Sequence, residues 1–500
     1  VTPASANPPG GVRRFALRWL KRLALLGVGG LVAFVVIRAV DSQRGPPLDL
    51  WHTEVPDEPR AAEIDRLDWA GYLAAEERVF AEVRQRVTEK LPAEARRADN
   101  RFYAGSPINP ARFDNDWNRS YVLVPEGTAR GAVVLLHGLT DAPYSLRHVA
   151  GLYRDQGFVA IGLRVPAHGT VPAALTDTVW EDWSAATRLA MREARRRVGP
   201  GAPIHVVGFS NGGALALKHA LDAVEDQRLV MPDRLILVSP MVGITAFARF
   251  AGLAAIPAIL PAFSKAAWLG IIPEFNPFKY NSFPVNGARQ SWRLTQALQA
   301  QLRAHAADGR IARLPPVLTF QSVIDFTVST RAVVTALYAL LPENGSELVL
   351  FDRNRATKLG PLLRPAFDVS ASRLVPDAPR PWRLVLVTNA DETSTETIAR
   401  ITDAGSAVER ILPLDAAYPR HVFSLSHVAL PFPEWDSLYG ATPDPPAQYG
   451  VELGTIGARG EVGVLIVSLD NLARMSWNPF FDQMMAHIAA QIPPRPSLAR

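Results

Sequence analysis

The sequence contains no cysteine, and that one absence excludes a disulfide framework, a thiolate zinc site and a cysteine nucleophile. For such a chain, export into an oxidising compartment carries no penalty. Charge is only weakly biased. The formal net charge is +5, and the basic residues are spread along 500 positions with no Lys/Arg-rich run interleaved with aromatics, so a nucleic-acid partner is not expected. No internal repeat or low-complexity tract stands out either. What the chain has in quantity is proline, 42 residues concentrated in connections and in one apolar stretch, which predicts many rigid loops. With 48% hydrophobic and 20% charged residues, the composition suits a globular protein with extra apolar surface or a membrane segment, longer than one typical domain.

Arg13, Arg14, Arg18, Lys21 and Arg22 precede an uncharged apolar run from Leu23 to Ile37, which Arg38 ends. The run is shorter than the roughly 20 residues of a comfortable membrane span, and a snorkelling Arg38 extends it to Val40. Ile37-Arg38-Ala39 makes a poor small-x-small cleavage site, so residues 23–40 are expected to be an uncleaved signal anchor, secretion after cleavage being the alternative. The positive charges place residues 1–22 in the cytoplasm. In a bacterium this predicts a single-pass inner-membrane protein with the remaining chain in the periplasm. Residues 41–120 are expected to form a Pro-rich linker and a helical extension, Ala61 to Lys90 having helical spacing.

From Tyr121 short apolar runs alternate with helical stretches, the pattern of an α/β architecture with a mostly parallel sheet. Tyr121–Val124, Ala132–Leu136, Val159–Leu163, Ile204–Val207, Leu235–Val238 and Val317–Phe320 are the expected strands. The fourth runs into Gly208-Phe209-Ser210-Asn211-Gly212-Gly213 and a helix from Ala214. Glycines on both sides of Ser210 permit the sharp strand-to-helix turn that exposes a nucleophilic hydroxyl. Acyl transfer at that serine passes through an oxyanion needing two N–H donors, expected from Leu139, in the loop after the second strand, and from Asn211. His137 and His168 precede the serine in the chain and are read as structural.

Acid and base follow such a serine in the order Asp or Glu, then His. Asp325, in the loop after the Val317 strand, is the expected acid; Asp391, after a second strand-like run at Leu384–Val387, is closer in sequence to the histidine and is the runner-up. His421, His427 and His487 are the histidines that follow. His487 falls in an expected C-terminal helix from Pro479 to Gln491, and His427, in a loop before an apolar stretch, is preferred over His421 as base.

Together His137-Gly138, the Arg164-Val165-Pro166-Ala167-His168-Gly169 turn, Trp180, Trp183, the Ser210 elbow and Asp325 with Thr327-Val328 make the chain resemble the α/β-hydrolases grouped with monoacylglycerol lipases and serine aminopeptidase-like (S33-type) hydrolases. The resemblance covers roughly Tyr121 to Phe351 and resumes near His427. It implies the α/β-hydrolase fold over 121–500, a carboxylic-ester or related acyl hydrolase needing no metal or cofactor, Asp325 as acid and His427 as base. The chain departs from the pattern in the acid-to-base spacing, so an insertion from about Asp352 to Asp415 is expected to loop out. A cap is expected at about 241–315. Its first part, Ala251 to Ile272, is apolar but interrupted by Pro257, Pro261 and Lys265, which argues for short helices over the site. An apolar lid suits lipid or small-molecule esters with a hydrophobic moiety. The competing readings are an aminopeptidase-like serine peptidase, for which the cap offers only Glu274 as a clear ammonium partner, and a catalytically silent envelope protein binding a lipid or another protein.

Overall fold

The computed structural model describes residues 10–243, 256–259, 261–357, 362, 371–420, 422–454 and 474–494. Its centre is a ten-stranded sheet. Numbered within that sheet, the strands are β1 Tyr121–Leu123, β2 Gly131–Leu136, β3 Phe158–Leu163, β4 Ile204–Phe209, β5 Arg234–Val238, β6 Val317–Ser322, β7 Glu347–Phe351, β8 Arg383–Asn389, β9 Glu396–Thr402 and β10 Glu409–Ala417. They lie in the order β1-β3-β2-β4-β5-β6-β7-β8-β9-β10. The pairings from β3 through β8 are parallel, while β1 on one edge and β9 and β10 on the other are antiparallel.

Every residue of β2, β3, β4, β6 and β7 is buried. That is why these segments read as continuous apolar runs: a parallel sheet covered on both faces has no solvent side to alternate towards. Val134, Ile161 and Val206 pack on one face with helices Trp180–Val198 and Asn211–Glu225, while Val133, Ala160 and Val207 pack on the other with Arg147–Asp155 and Phe481–Ala489. The strand expected in each of the six apolar runs is present, with one or two further residues in several.

The long insertion expected to loop out does so only in part. Among its described residues, β8 pairs in parallel with β7, and β9 and β10 add an antiparallel meander beyond it. The burial of β9 alternates, and β10 is exposed along most of its length. An edge strand with few buried side chains carries little apolar signal to read.

The first helix runs from Gly10 to Gln43 and includes Leu17–Asp41, long and apolar enough to cross a membrane. Leu25, Leu26 and Ile37 along it are exposed. Its C-terminal end meets the cap segment: the Arg38 guanidinium donates to the Trp268 carbonyl at 2.7 Å, and Gln43 Nε2 to that of Ala262 at 2.9 Å. The helical stretch expected from Ala61 to Lys90 is divided, into Ala61–Ile64 and Trp69–Arg86. Asp68 starts the second part by accepting the Gly71 amide at 2.7 Å, an N-cap in the middle of the periodic run.

Candidate active site

The turn from β4 into helix Asn211–Glu225 holds Ser210 at φ 53° and ψ −116°, a conformation costly for a residue with a side chain. The neighbouring glycines make it possible. A Cβ at Gly208 would lie 2.4 Å from the Gly212 carbonyl oxygen, and one at Gly212 would lie 1.9 Å from that of Leu136. The backbone is then pinned from the adjoining strand: Ser210 N donates to Val238 O at 2.9 Å, and Met241 N to Ser210 O at 2.9 Å. This is the strand–Ser–helix elbow that the sequence predicts.

His427 reaches the elbow across a sequence separation of 217 residues. Its Nε2 is 3.0 Å from Ser210 Oγ, its Nδ1 is 2.9 Å from Asp325 Oδ2, and its ring stacks on Phe209 at 5.4 Å between centroids. The Asp325 carboxylate is held from several sides. Oδ1 accepts the amides of Thr327 at 2.9 Å and Val328 at 3.0 Å, and Oδ2 also accepts Gln321 Nε2 at 3.0 Å. Ser210, Asp325 and His427 are all buried. With the carboxylate on Nδ1, that nitrogen carries the proton and Nε2 presents its lone pair to the serine hydroxyl.

The runner-up acid is elsewhere. Asp391 Oδ1 accepts the Thr393 and Ser394 amides at 2.7 and 2.9 Å within its own exposed loop. His421 lies outside the described residues. His487, on helix Phe481–Ala489, has Nδ1 2.9 Å from Glu347 Oε1.

Leu139 follows Gly138 in the loop after β2, and Thr140 beside it is in the left-handed region at φ 63°. The backbone amides of Leu139 and Asn211 have no backbone hydrogen-bond acceptor among the described residues. Ser291 Oγ donates to Asn211 Oδ1 at 3.0 Å, tying that residue to helix Val285–Ala307.

His137 and His168 have structural partners. The His137 ring accepts the Val165 amide on Nε2 at 3.0 Å and donates from Nδ1 to the Gly138 carbonyl at 2.9 Å. Burial keeps its pKa well below the usual imidazole range. His168 donates from Nδ1 to the Pro166 carbonyl at 3.0 Å, and burial pushes its pKa down to about 4. Gln321, Ser291 and Tyr280, which fix the acid, the elbow and the Thr140 loop, carry no motif in the sequence. Tyr280 N donates to Thr140 O at 2.7 Å. Such supporting residues are defined by tertiary proximity alone. Among the described residues no group of His, Asp and Glu side chains could hold a metal ion.

Residues 127–342 match the family model described as serine aminopeptidase, S33. A thermostable monoacylglycerol lipase of Bacillus sp. (strain H-257) is 33% identical over 85 residues, which are 17% of this chain and 33% of the lipase. The chain thus matches about a third of that relative's length. Solved structures with likeness include a soluble variant of monoglyceride lipase from Saccharomyces cerevisiae, at 14% identity and TM-score 0.37, covering 47% of this chain and 82% of that one. Est1E from Butyrivibrio proteoclasticus, solved with ferulic acid bound, follows at 17% identity and TM-score 0.34, covering 47% and 85%. The fold itself rests on the strand order, the elbow at the end of β4 and the loops that carry Asp325 and His427. By that architecture the chain has the α/β-hydrolase fold, over residues 127–342 it is similar to the serine aminopeptidase, S33 family, and over 85 residues to a monoacylglycerol lipase.

Proposed function

We propose that this chain is a serine hydrolase that cleaves carboxylic esters bearing a hydrophobic acyl or aromatic group. The observation that carries the reading is one imidazole, His427, within hydrogen-bond distance of both Ser210 Oγ and Asp325 Oδ2. In the proposed reaction His427 Nε2 takes the Ser210 proton as Oγ bonds to the ester carbonyl carbon. The oxyanion accepts the Leu139 and Asn211 amides, each donor supporting the transition state by roughly 3 kcal/mol. Collapse breaks the bond to the alkoxide, which leaves with the proton from His427. Water repeats the sequence on the acyl-enzyme and releases the acid. Asp325 holds the ring in the required tautomer and stabilises the imidazolium.

Esters are preferred to peptide N-termini because of Glu274. Its carboxylate is buried and accepts the amides of Asn281 at 3.0 Å and Ser282 at 2.8 Å, a loop staple rather than a docking point for an ammonium group. The partial match to a monoacylglycerol lipase supports a lipid-like ester. Helix Gly10–Gln43 is read as a bilayer anchor, with the hydrolase on the periplasmic face of a bacterial inner membrane. Support comes from its exposed apolar side chains and the basic residues before the apolar run.

The test is fluorophosphonate labelling of the purified protein beside Ser210→Ala, followed by p-nitrophenyl esters of increasing chain length. Labelling abolished by the substitution, with turnover of the longer esters, is expected. A folded protein that neither labels nor turns over any ester would instead favour a silent lipid- or partner-binding role.

A further inference from the structure

A cavity of about 440 Å³ lies where the N-terminal extension meets the turn after β3; Phe80, Val83, Phe102 and Ala111 supply apolar wall, and Arg101, Asp116 and Arg119 also line it. That volume is within the range of small-molecule sites, and such walls are mostly apolar. Arg101 is the anomaly. It is 3% exposed, yet among the described residues no carboxylate oxygen comes within 4.0 Å of its guanidinium, the distance that would make an ion pair. Its hydrogen bonds go to neutral acceptors: the Asn276 carbonyl at 3.2 Å, Asn118 Oδ1 at 3.1 Å and the Gly169 carbonyl at 3.3 Å. Its Nε has no partner.

The carboxylates nearest by charge have other partners, Asp116 within the same cavity wall. Glu274 is held by the Asn281 and Ser282 amides, and Asp116 accepts Asn118 Nδ2 at 2.8 Å and pairs with Arg119 at 3.4 Å. A buried guanidinium cannot shed its charge, and without an anion it is among the more costly groups to bury. Its placement on the wall of an apolar cavity supplies a way to offset that cost.

We propose that this cavity binds an amphipathic monoanion, a carboxylate with an apolar chain, whose head group pairs with Arg101 and whose chain lies against Phe80, Val83 and Phe102. The site is separate from Ser210 and does not depend on the ester-hydrolase reading. Pairing needs a modest shift of the Arg101 side chain, since Nε is covered, and the charge-assisted bond compensates for it.

Equilibrium dialysis of radiolabelled octanoate against the full chain in lipid nanodiscs, with empty nanodiscs as background, tests this. Arg101→Met keeps the shape of the buried stem and removes the charge, while Ala111→Trp fills the exposed rim and leaves Arg101 in place. Saturable octanoate binding that falls about tenfold or more in both variants is expected, with octanamide and acetate bound about tenfold more weakly than octanoate by the wild type. If Arg101→Met does not fold, Ala111→Trp alone decides. Absence of saturable binding overturns the proposal. So does equal binding by the variants, which would place the carboxylate in the catalytic pocket, or acetate binding as tightly as octanoate.

Discussion

Arg164, at the end of β3, and Glu58, in the N-terminal extension, form a buried two-bond pair, with Nη1 and Nη2 donating to Oε1 and Oε2 at 2.8 and 2.9 Å. Glu76 from helix Trp69–Arg86 joins them, accepting Arg164 Nε at 3.2 Å and Ser120 Oγ at 2.7 Å, while Tyr72 donates its hydroxyl to the Arg164 carbonyl at 2.6 Å. Arg164 Nη1 also donates to the His168 carbonyl at 2.9 Å. The extension that lies outside the family resemblance is therefore built into the turn that backs the active site.

Glu58→Ala should destabilise the protein by about 3–5 kcal/mol, because removing one partner strands a buried cation. Urea unfolding followed by circular dichroism measures it. A loss below about 1 kcal/mol would mean that water or Glu76 compensates, and that the extension is less integral than the contacts indicate.

Asp325→Asn should lower kcat by about four orders of magnitude while leaving KM nearly unchanged, since the geometry survives but the imidazole tautomer does not. Asp391→Asn should leave the kinetics close to wild type, its carboxylate being occupied with the amides of Thr393 and Ser394. The reverse pattern in ester hydrolysis would transfer the acid role to Asp391.

Gly212→Ala should abolish fluorophosphonate labelling and soluble expression together, because its Cβ would overlap the Leu136 carbonyl oxygen at 1.9 Å. Gly151→Ala, where an added Cβ meets nothing within 4 Å, is the matched control and should be neutral or slightly stabilising, as is usual in a helix. A labelled, folded Gly212→Ala protein would show that the elbow can relax.

Stability should fall as pH drops below about 6.5. Burial pushes the pKa of His168 down to about 4 and that of His205 down to about 3, whereas in the unfolded chain both titrate near the ordinary value of about 6.5. Between those values the unfolded chain binds more protons, so the contribution is complete above about pH 6.5 and is lost progressively towards pH 4, by up to roughly 3 kcal/mol for His168. Urea midpoints from pH 7.5 to 4.5 should show this slope. His168→Gln, which retains a donor for the Pro166 carbonyl, should flatten it by about one proton. Identical slopes would mean that the His168 ring is protonated in the native state.

The elbow, the core strands and the order of the catalytic candidates were legible in the residues themselves, because each depends on local chemistry. Parallel strands covered on both faces are predominantly apolar, and a Ser at a tight strand-to-helix turn needs glycine beside it. Other features depended on distance through space. Asp325 and Asp391 occupy similar strand-end loops, and sequence spacing points towards Asp391, but the residue hydrogen-bonded to His427 is Asp325, in the loop after β6, while Asp391 follows β8, two strands further along the sheet. The edge strands β9 and β10 escaped notice because an exposed edge bears little apolar periodicity. Gln321 and Ser291, which hold Asp325 and Asn211, are ordinary polar residues until packing sets them against those partners. Arg164 belongs to a turn motif that the sequence shows, but Glu58, 106 positions away, carries no signal as its partner, and their pairing exists because the extension folds back over β3 and excludes water from both charges.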